Sequence, residues 1–209
     1  MRTRKSLIHT AAAVFAEEGY APSSLTAISK RAGVSNGALH FHFENKKALA
    51  RAVEDEAVDA VRELVQPTGR AAASALQALV DVMHGLADSL RDDPVVRAGF
   101  DLSCERTLGP EARLLCTWHE WVRETLRRAA AEGQLAPGVS PDEAAAAIVA
   151  ATVGFEVLAR NDPQWLAERR IAGFWQLLLP GLATGHTPVR ARPETYEGSR
   201  AEAEAEAEA

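Results

Sequence analysis

Residues 24–47, SLTAISKRAGVSNGALHFHFENKK, leave the backbone few choices. Ser24 is an N-cap, and Leu25, Ile28 and Ala32 follow at i, i+3 and i+7 on one helical face. Gly33 ends that helix, because glycine enters the left-handed region without a Cβ penalty. Val34 is the apolar plug of the turn. Ser35 caps a second helix over 36–42, and Asn45 caps a third that begins at Lys46. Two short helices about a tight turn, with a third behind them, make a helix-turn-helix, whose second helix enters the major groove of double-stranded DNA.

The net charge of −6 argues against DNA until it is divided along the chain. Residues 1–52 hold eight basic groups (Arg2, Arg4, Lys5, Lys30, Arg31, Lys46, Lys47, Arg51) and three acidic ones (Glu17, Glu18, Glu44), a balance of +5 that leaves −11 for the remainder. A basic head on an acidic body suits a molecule that presents one end to phosphate.

Several classes of function are disfavoured. At 209 residues there is room for one or two domains with a real core, and 47% hydrophobic with 25% charged residues is ordinary for a globular protein. No window approaches the roughly 18 uninterrupted apolar residues of a membrane span, and the N-terminus has no apolar signal region, so the expected location is the cytoplasm. Cys104 and Cys116 fit no zinc spacing and read as free, buried thiols. His40 and His42 stand i, i+2 on a helix and point apart, which is no metal pair. There is no nucleophile elbow, HExxH or phosphate-cradling glycine loop. The expectation is a non-enzyme without cofactor or metal.

The rest of the chain reads as helices, giving an all-α fold. Leu49, Val53, Ala57, Val61 and Leu64 step along one face until Gln66-Pro67-Thr68-Gly69 breaks the pattern. Further helices are expected over about 71–90, 93–108, 111–132, 142–160 and 163–183. Beyond Gly185 the chain turns Pro-rich and then becomes an Ala-Glu repeat with no apolar face to dock, which reads as disordered. The resulting division is 1–47 for DNA binding, 48–185 for ligand binding and dimerisation, and 186–209 as tail.

The string AAAVFAEEGYAPSSLTAISKRAGVSNGALHFHFENKKAL resembles the N-terminal domain of TetR-family transcriptional regulators. The resemblance implies that Ser35, Asn36, Gly37, Ala38, His40 and Phe41 face the groove. Asn36 is able to read adenine bidentately, and Ala38 to touch a thymine methyl. Ser24, Thr26 and Lys46, at helix N-termini, are placed to hold phosphates. Phe43 is expected to anchor the recognition helix in the core. Asn36 and His40 depart from the Lys and Tyr common at these positions, so the operator sequence does not carry over from relatives.

The body resembles a narrower group. RDDPVVRAGFDLSCER, a Trp fourteen residues before Glu-Gly-Gln-Leu, PGVSPDEAAAAIVAATVGFEVLA and FWQLLLPGLA look like the ligand-binding domains of γ-butyrolactone-type autoregulator receptors. These are repressors of antibiotic production that answer to small diffusible butenolides, furans or butyrolactones; pseudo-receptors share the body and answer to antibiotics. The resemblance makes Trp118 a pocket wall with one N–H donor, and helical spacing adds Leu115 and Val122. Trp175 is expected in the core or a dimer contact. The small residues 144–151 with Gly154, and the apolar final helix, suggest a homodimer paired through a four-helix bundle. The expectation is a dimeric repressor that a small hydrophobic lactone-like ligand releases from a palindromic operator. Glu156, a carboxylate in an apolar stretch, keeps one rival open: a regulator of drug efflux or catabolism with another ligand.

Overall fold

The computed structural model describes residues 2–104, 109, 113–185 and 187–192, with the side chains of residue 2 and residues 67–71 excepted. Among them nine α-helices and one short 3-10 turn account for the regular structure, and the only β-pairing is an isolated bridge between Leu135 and Ala183. The helices are α1 (Arg2–Glu18), α2 (Leu25–Arg31), α3 (Asn36–His42), α4 (Lys46–Ala71) and α5 (Ala75–Asp92). They continue as α6 (Pro94–Cys104), α7 (Leu114–Ala131), α8 (Pro141–Ala159) and α9 (Glu168–Leu182). The 3-10 turn, Pro163–Leu166, occupies the place where the sequence suggested the start of the last helix; Asp162 caps it, and α9 starts afresh at Glu168.

The chain divides into two compact units, one of residues Met1–Arg62 and Ser89–Trp118, the other of Glu63–Asp88 and His119–Ala209. In the first, α1 packs on α6 and α2, and α2 on α3. Its core is built from Leu7, Ile8, Phe15, Ile28, Leu39, Phe43, Leu49, Val53 and Phe100, all buried. Gly99 of α6 lets α4 come close: a Cβ there would stand 2.4 Å from the Cβ of Ala57. In the second unit Leu76, Leu79, Val80 and Met83 of α5 are buried, as are Ile148, Leu166, Ile171 and Trp175.

Three expectations need correction. The proline of Gln66-Pro67-Thr68-Gly69 does not end α4, which runs on to Ala71. A proline near a helix end removes one backbone bond rather than a whole ladder. Cys116 is exposed, and Cys104 only half-buried. Residues 187–192 are not a loose tail. Gln77, fully buried on α5, exchanges bonds with this segment like a strand neighbour: Arg190 N donates to its Oε1 at 2.8 Å, and its Nε2 donates to Arg192 O at 3.2 Å. His84 Nε2 meets Ala191 O at 3.1 Å, and Arg192 pairs with Glu168. A buried amide and imidazole need partners, and this segment supplies them. The Ala-Glu repeat lies outside the described residues.

Candidate DNA-binding and ligand-binding residues

The helix-turn-helix is assembled by its caps. Ser24 Oγ accepts from Ala27 N at 3.1 Å, Ser35 Oγ from Ala38 N at 3.1 Å, and Asn45 Oδ1 from Ala48 N at 2.9 Å. Each satisfies one of the orphan amides of a helix start. Gly33 sits at φ 69°, and the turn closes through Gly33 N to Lys30 O and Val34 N to Ser29 O.

The recognition helix α3 is sorted cleanly. Leu39 and Phe43 are buried, and the Arg4 guanidinium lies 5.3 Å from the Phe43 ring centre. Ser35, Asn36, Gly37, His40 and Phe41 are exposed, and Ala38 is half-buried. Phe41 is 86% exposed, far more than a buried-core aromatic permits. Thr26 and Ser24 are exposed at the start of α2.

Two residues expected on the DNA surface are engaged within the fold. Lys46 Nζ donates to three backbone carbonyls, Tyr20 O at 2.8 Å, Ala21 O at 3.1 Å and Ser23 O at 2.8 Å, and stands 4.3 Å from the Tyr20 ring centre. An ammonium has three protons, so its donors are spent on the loop that leads into α2. Lys46 therefore acts as a clamp on that loop, and its reading as a phosphate contact is withdrawn. Sequence alone did not show that residues 20–23 return over the start of α4. Asn36 is also held: its Oδ1 accepts from Ser29 Oγ at 2.6 Å, and its Nδ2 points to Thr26 Oγ1 at 3.4 Å. Ser29, buried on α2 and absent from the sequence-based candidates, orients the side chain that replaces the usual Lys. A serine inside an otherwise apolar helix face was the available signal.

On α7, Leu114, Trp118, Val122 and Leu126 recur every four residues and are fully buried, while Leu115 is half-buried. Glu156 is buried, and Arg160 meets it with two bonds, Nε to Oε1 at 3.0 Å and Nη2 to Oε2 at 3.3 Å. This pairing compensates the carboxylate from within its own helix. Trp175 is in the core, as expected, with a buried indole N–H that has no hydrogen-bond partner. The candidates from sequence did not include Glu54. This buried α4 carboxylate accepts from Ser103 Oγ at 2.8 Å, Arg113 N at 2.6 Å and Leu114 N at 3.3 Å.

α8 is apolar around most of its circumference, yet only Ala145, Ile148, Thr152 and Glu156 are buried. Ala146, Ala147, Ala150, Val157 and Leu158 are exposed, and on α9 Leu177 is 87% exposed. A Cβ added at Gly154 or Gly173 would meet nothing within 4 Å.

Two family models match the chain: the one for bacterial regulatory proteins of the tetR family over residues 7–53, and that of the tetracyclin repressor-like C-terminal domain over residues 73–184. The A-factor receptor protein of Streptomyces griseus is 32% identical over 214 residues, covering 100% of this chain and 74% of the relative. The fold is similar to the crystal structure of a gamma-butyrolactone receptor, an ArpA-like protein (TM-score 0.77, 29% identity, 88% of this chain and 89% of that one). It is also similar to CprB from Streptomyces coelicolor in complex with its biological operator sequence (TM-score 0.75, 30% identity, 88% and 90%).

Proposed function

The chain belongs to the TetR family of bacterial regulatory proteins, and from that premise we propose a cytoplasmic, homodimeric repressor released from a palindromic operator by a small lactone-like signal. Its target is control of antibiotic or other secondary metabolism, as the resemblance of its body to autoregulator receptors implies. The observation that carries the DNA part is the exposed face of α3, with Phe41, His40, Gly37 and Asn36 presented by a helix whose other side is core. In this reading Ser35, Asn36, Gly37, Ala38, His40 and Phe41 meet base edges, and Ser24 and Thr26 meet phosphate. Residues 1–47 carry DNA binding, and 48–185 carry ligand binding and dimerisation.

The exposed faces of α8 and α9 support the dimer reading. A helix apolar on all sides is stable only when covered on all sides. The exposed alanines, Leu177 and the open space above Gly154 and Gly173 suit the close approach of the same helices from a second copy. No described helix is long and apolar enough to cross a membrane.

The ligand part rests on the relatives together with the buried ring of Trp118, which with Leu115 and Val122 offers apolar wall. The Glu156–Arg160 pair weakens the rival reading of a cation-sensing efflux regulator, since a compensated carboxylate attracts no cation. Selection of bound duplexes from random-sequence DNA by the purified protein tests the first part, with a palindrome as the expected product. Titration of that complex with a synthetic alkyl-substituted γ-butyrolactone tests the second. Failure to select any sequence, or a complex indifferent to the lactone, overturns the respective part.

A further inference from the structure

We propose that Glu54 is the positioning residue through which occupancy beside Trp118 is passed to α4 and so to DNA binding; this rests on the ligand reading above. Glu54 lies two turns into α4, whose first residue, Lys46, clamps the loop leading into the helix-turn-helix. The two anchors are eight residues apart on one continuous helix, about 12 Å along its axis. At the Glu54 anchor a single carboxylate oxygen binds both ends of the neighbouring structure: Ser103 Oγ near the end of α6, and the amides of Arg113 and Leu114 at the start of α7. Leu114 and Trp118 are one turn apart on the same buried stripe of α7.

The physical argument is about what can slip. Apolar contacts let helices slide at modest cost. A carboxylate only 2% exposed does not, because parting from its donors strands a charge without solvent. A ligand that displaces the first turn of α7 therefore drags Glu54, and α4 with it. Gly99 against Ala57 holds α6 tightly on α4, so the third donor moves with the same body. Asp55 also pairs with Arg113, but both side chains are more than half exposed, and such a pair stretches freely in water.

The test uses the full-length dimer and the selected operator. Operator affinity is measured with and without saturating synthetic γ-butyrolactone, for wild type, Glu54→Gln, Ser103→Ala and Asp55→Asn. The wild type is expected to weaken by about tenfold or more on lactone addition, within the range of ordinary allosteric coupling. Glu54→Gln, which keeps shape and loses the charge, should weaken by less than about threefold while binding free operator and lactone each within about threefold of wild type. A purely structural role would lower stability and leave the response intact, so a full response in Glu54→Gln overturns the proposal. Should that variant fail to fold, Ser103→Ala, which removes one of the three bonds, is expected to show a reduced response, and a full one overturns it. Asp55→Asn should respond as wild type does, and a lost response there moves the coupling to the exposed pair. A second arm needs no ligand: operator binding should slow hydrogen exchange over residues 113–118 in wild type and not in Glu54→Gln, and equal slowing in both refutes the role of Glu54. A wild type indifferent to the lactone sinks the ligand class, and the exchange arm still decides on Glu54.

Discussion

Two faces of this molecule expose apolar side chains, and they do so differently. On α3, Phe41 stands among groups that form directional bonds: His40, the Ser35 cap and an amide, Asn36, held by Ser29. On α8 and α9, alanines, Val157, Leu158 and Leu177 are exposed over helices with few polar groups between them. The first face offers geometry, and a partner that matches it gains bond by bond. The second offers only area, and an occupant gains once, by covering it. Errors on the first should be graded and sequence-dependent; errors on the second should be all or none.

The largest effect is expected on the second face. Leu177→Arg, or Ala147→Arg, should convert the proposed dimer to monomer in analytical ultracentrifugation and weaken operator binding by about 100-fold or more, since a charge buried in a helix contact is costly. A dimeric variant with normal binding would erase the distinction drawn between the faces.

Next comes Lys46→Ala. Three charge-assisted bonds are lost at a half-buried site, so a drop in stability of about 2 kcal/mol is expected in chemical denaturation. Because the ammonium faces inward, the slope of operator affinity against salt should stay that of the wild type. A slope lower by about one ion would return Lys46 to the phosphate contacts.

Phe41→Ala should act on the first face alone. Stability should hold within about 0.5 kcal/mol, as for a surface substitution, while operator affinity falls by about tenfold, unequally among operator sequences. An equal loss on all sequences would make Phe41 a filler of area, as on the other face.

Much of this was legible before the structure. Ser24, Ser35 and Asn45 as caps and Gly33 as the turn all follow from local rules, because each depends on neighbours within four residues. What escaped depends on long-range return of the chain. Lys46 looked like a surface cation because its partners lie at 20–23, and Glu54 was no candidate because its donors lie far along the chain, at 103, 113 and 114. Glu54 does stand beside Val53 and Ala57 on an apolar stripe, the one hint available. The docking of 187–192 was hidden for the same reason: Gln77 and His84 gave no sign in sequence that their partners come more than one hundred residues later.

That docked segment gives the smallest prediction. Burial lowers the pKa of His84, against the opposing pull of the Ala191 carbonyl and of Glu168, Asp88 and Asp81. A histidine whose folded pKa is depressed binds fewer protons when folded. Stability is therefore full above the ordinary histidine value of about 6.5 and declines as pH falls through and below it. His84→Gln keeps an N–H for the carbonyl and should flatten the acid side of a melting-temperature profile; an unchanged profile would assign the acid sensitivity to other groups.

The length of α3 sets a limit of another kind. Seven residues rise about 10 Å, and one side of such a rod spans only about three base pairs. A word that short recurs on the order of every hundred positions in random DNA, too often to serve as an address. Two such words, held at one fixed spacing, recur only about once in several thousand positions. What separates the two copies of α3 in the proposed dimer is therefore itself part of the message. A signal that alters only that spacing need not touch a single base-reading side chain to make the address unreadable.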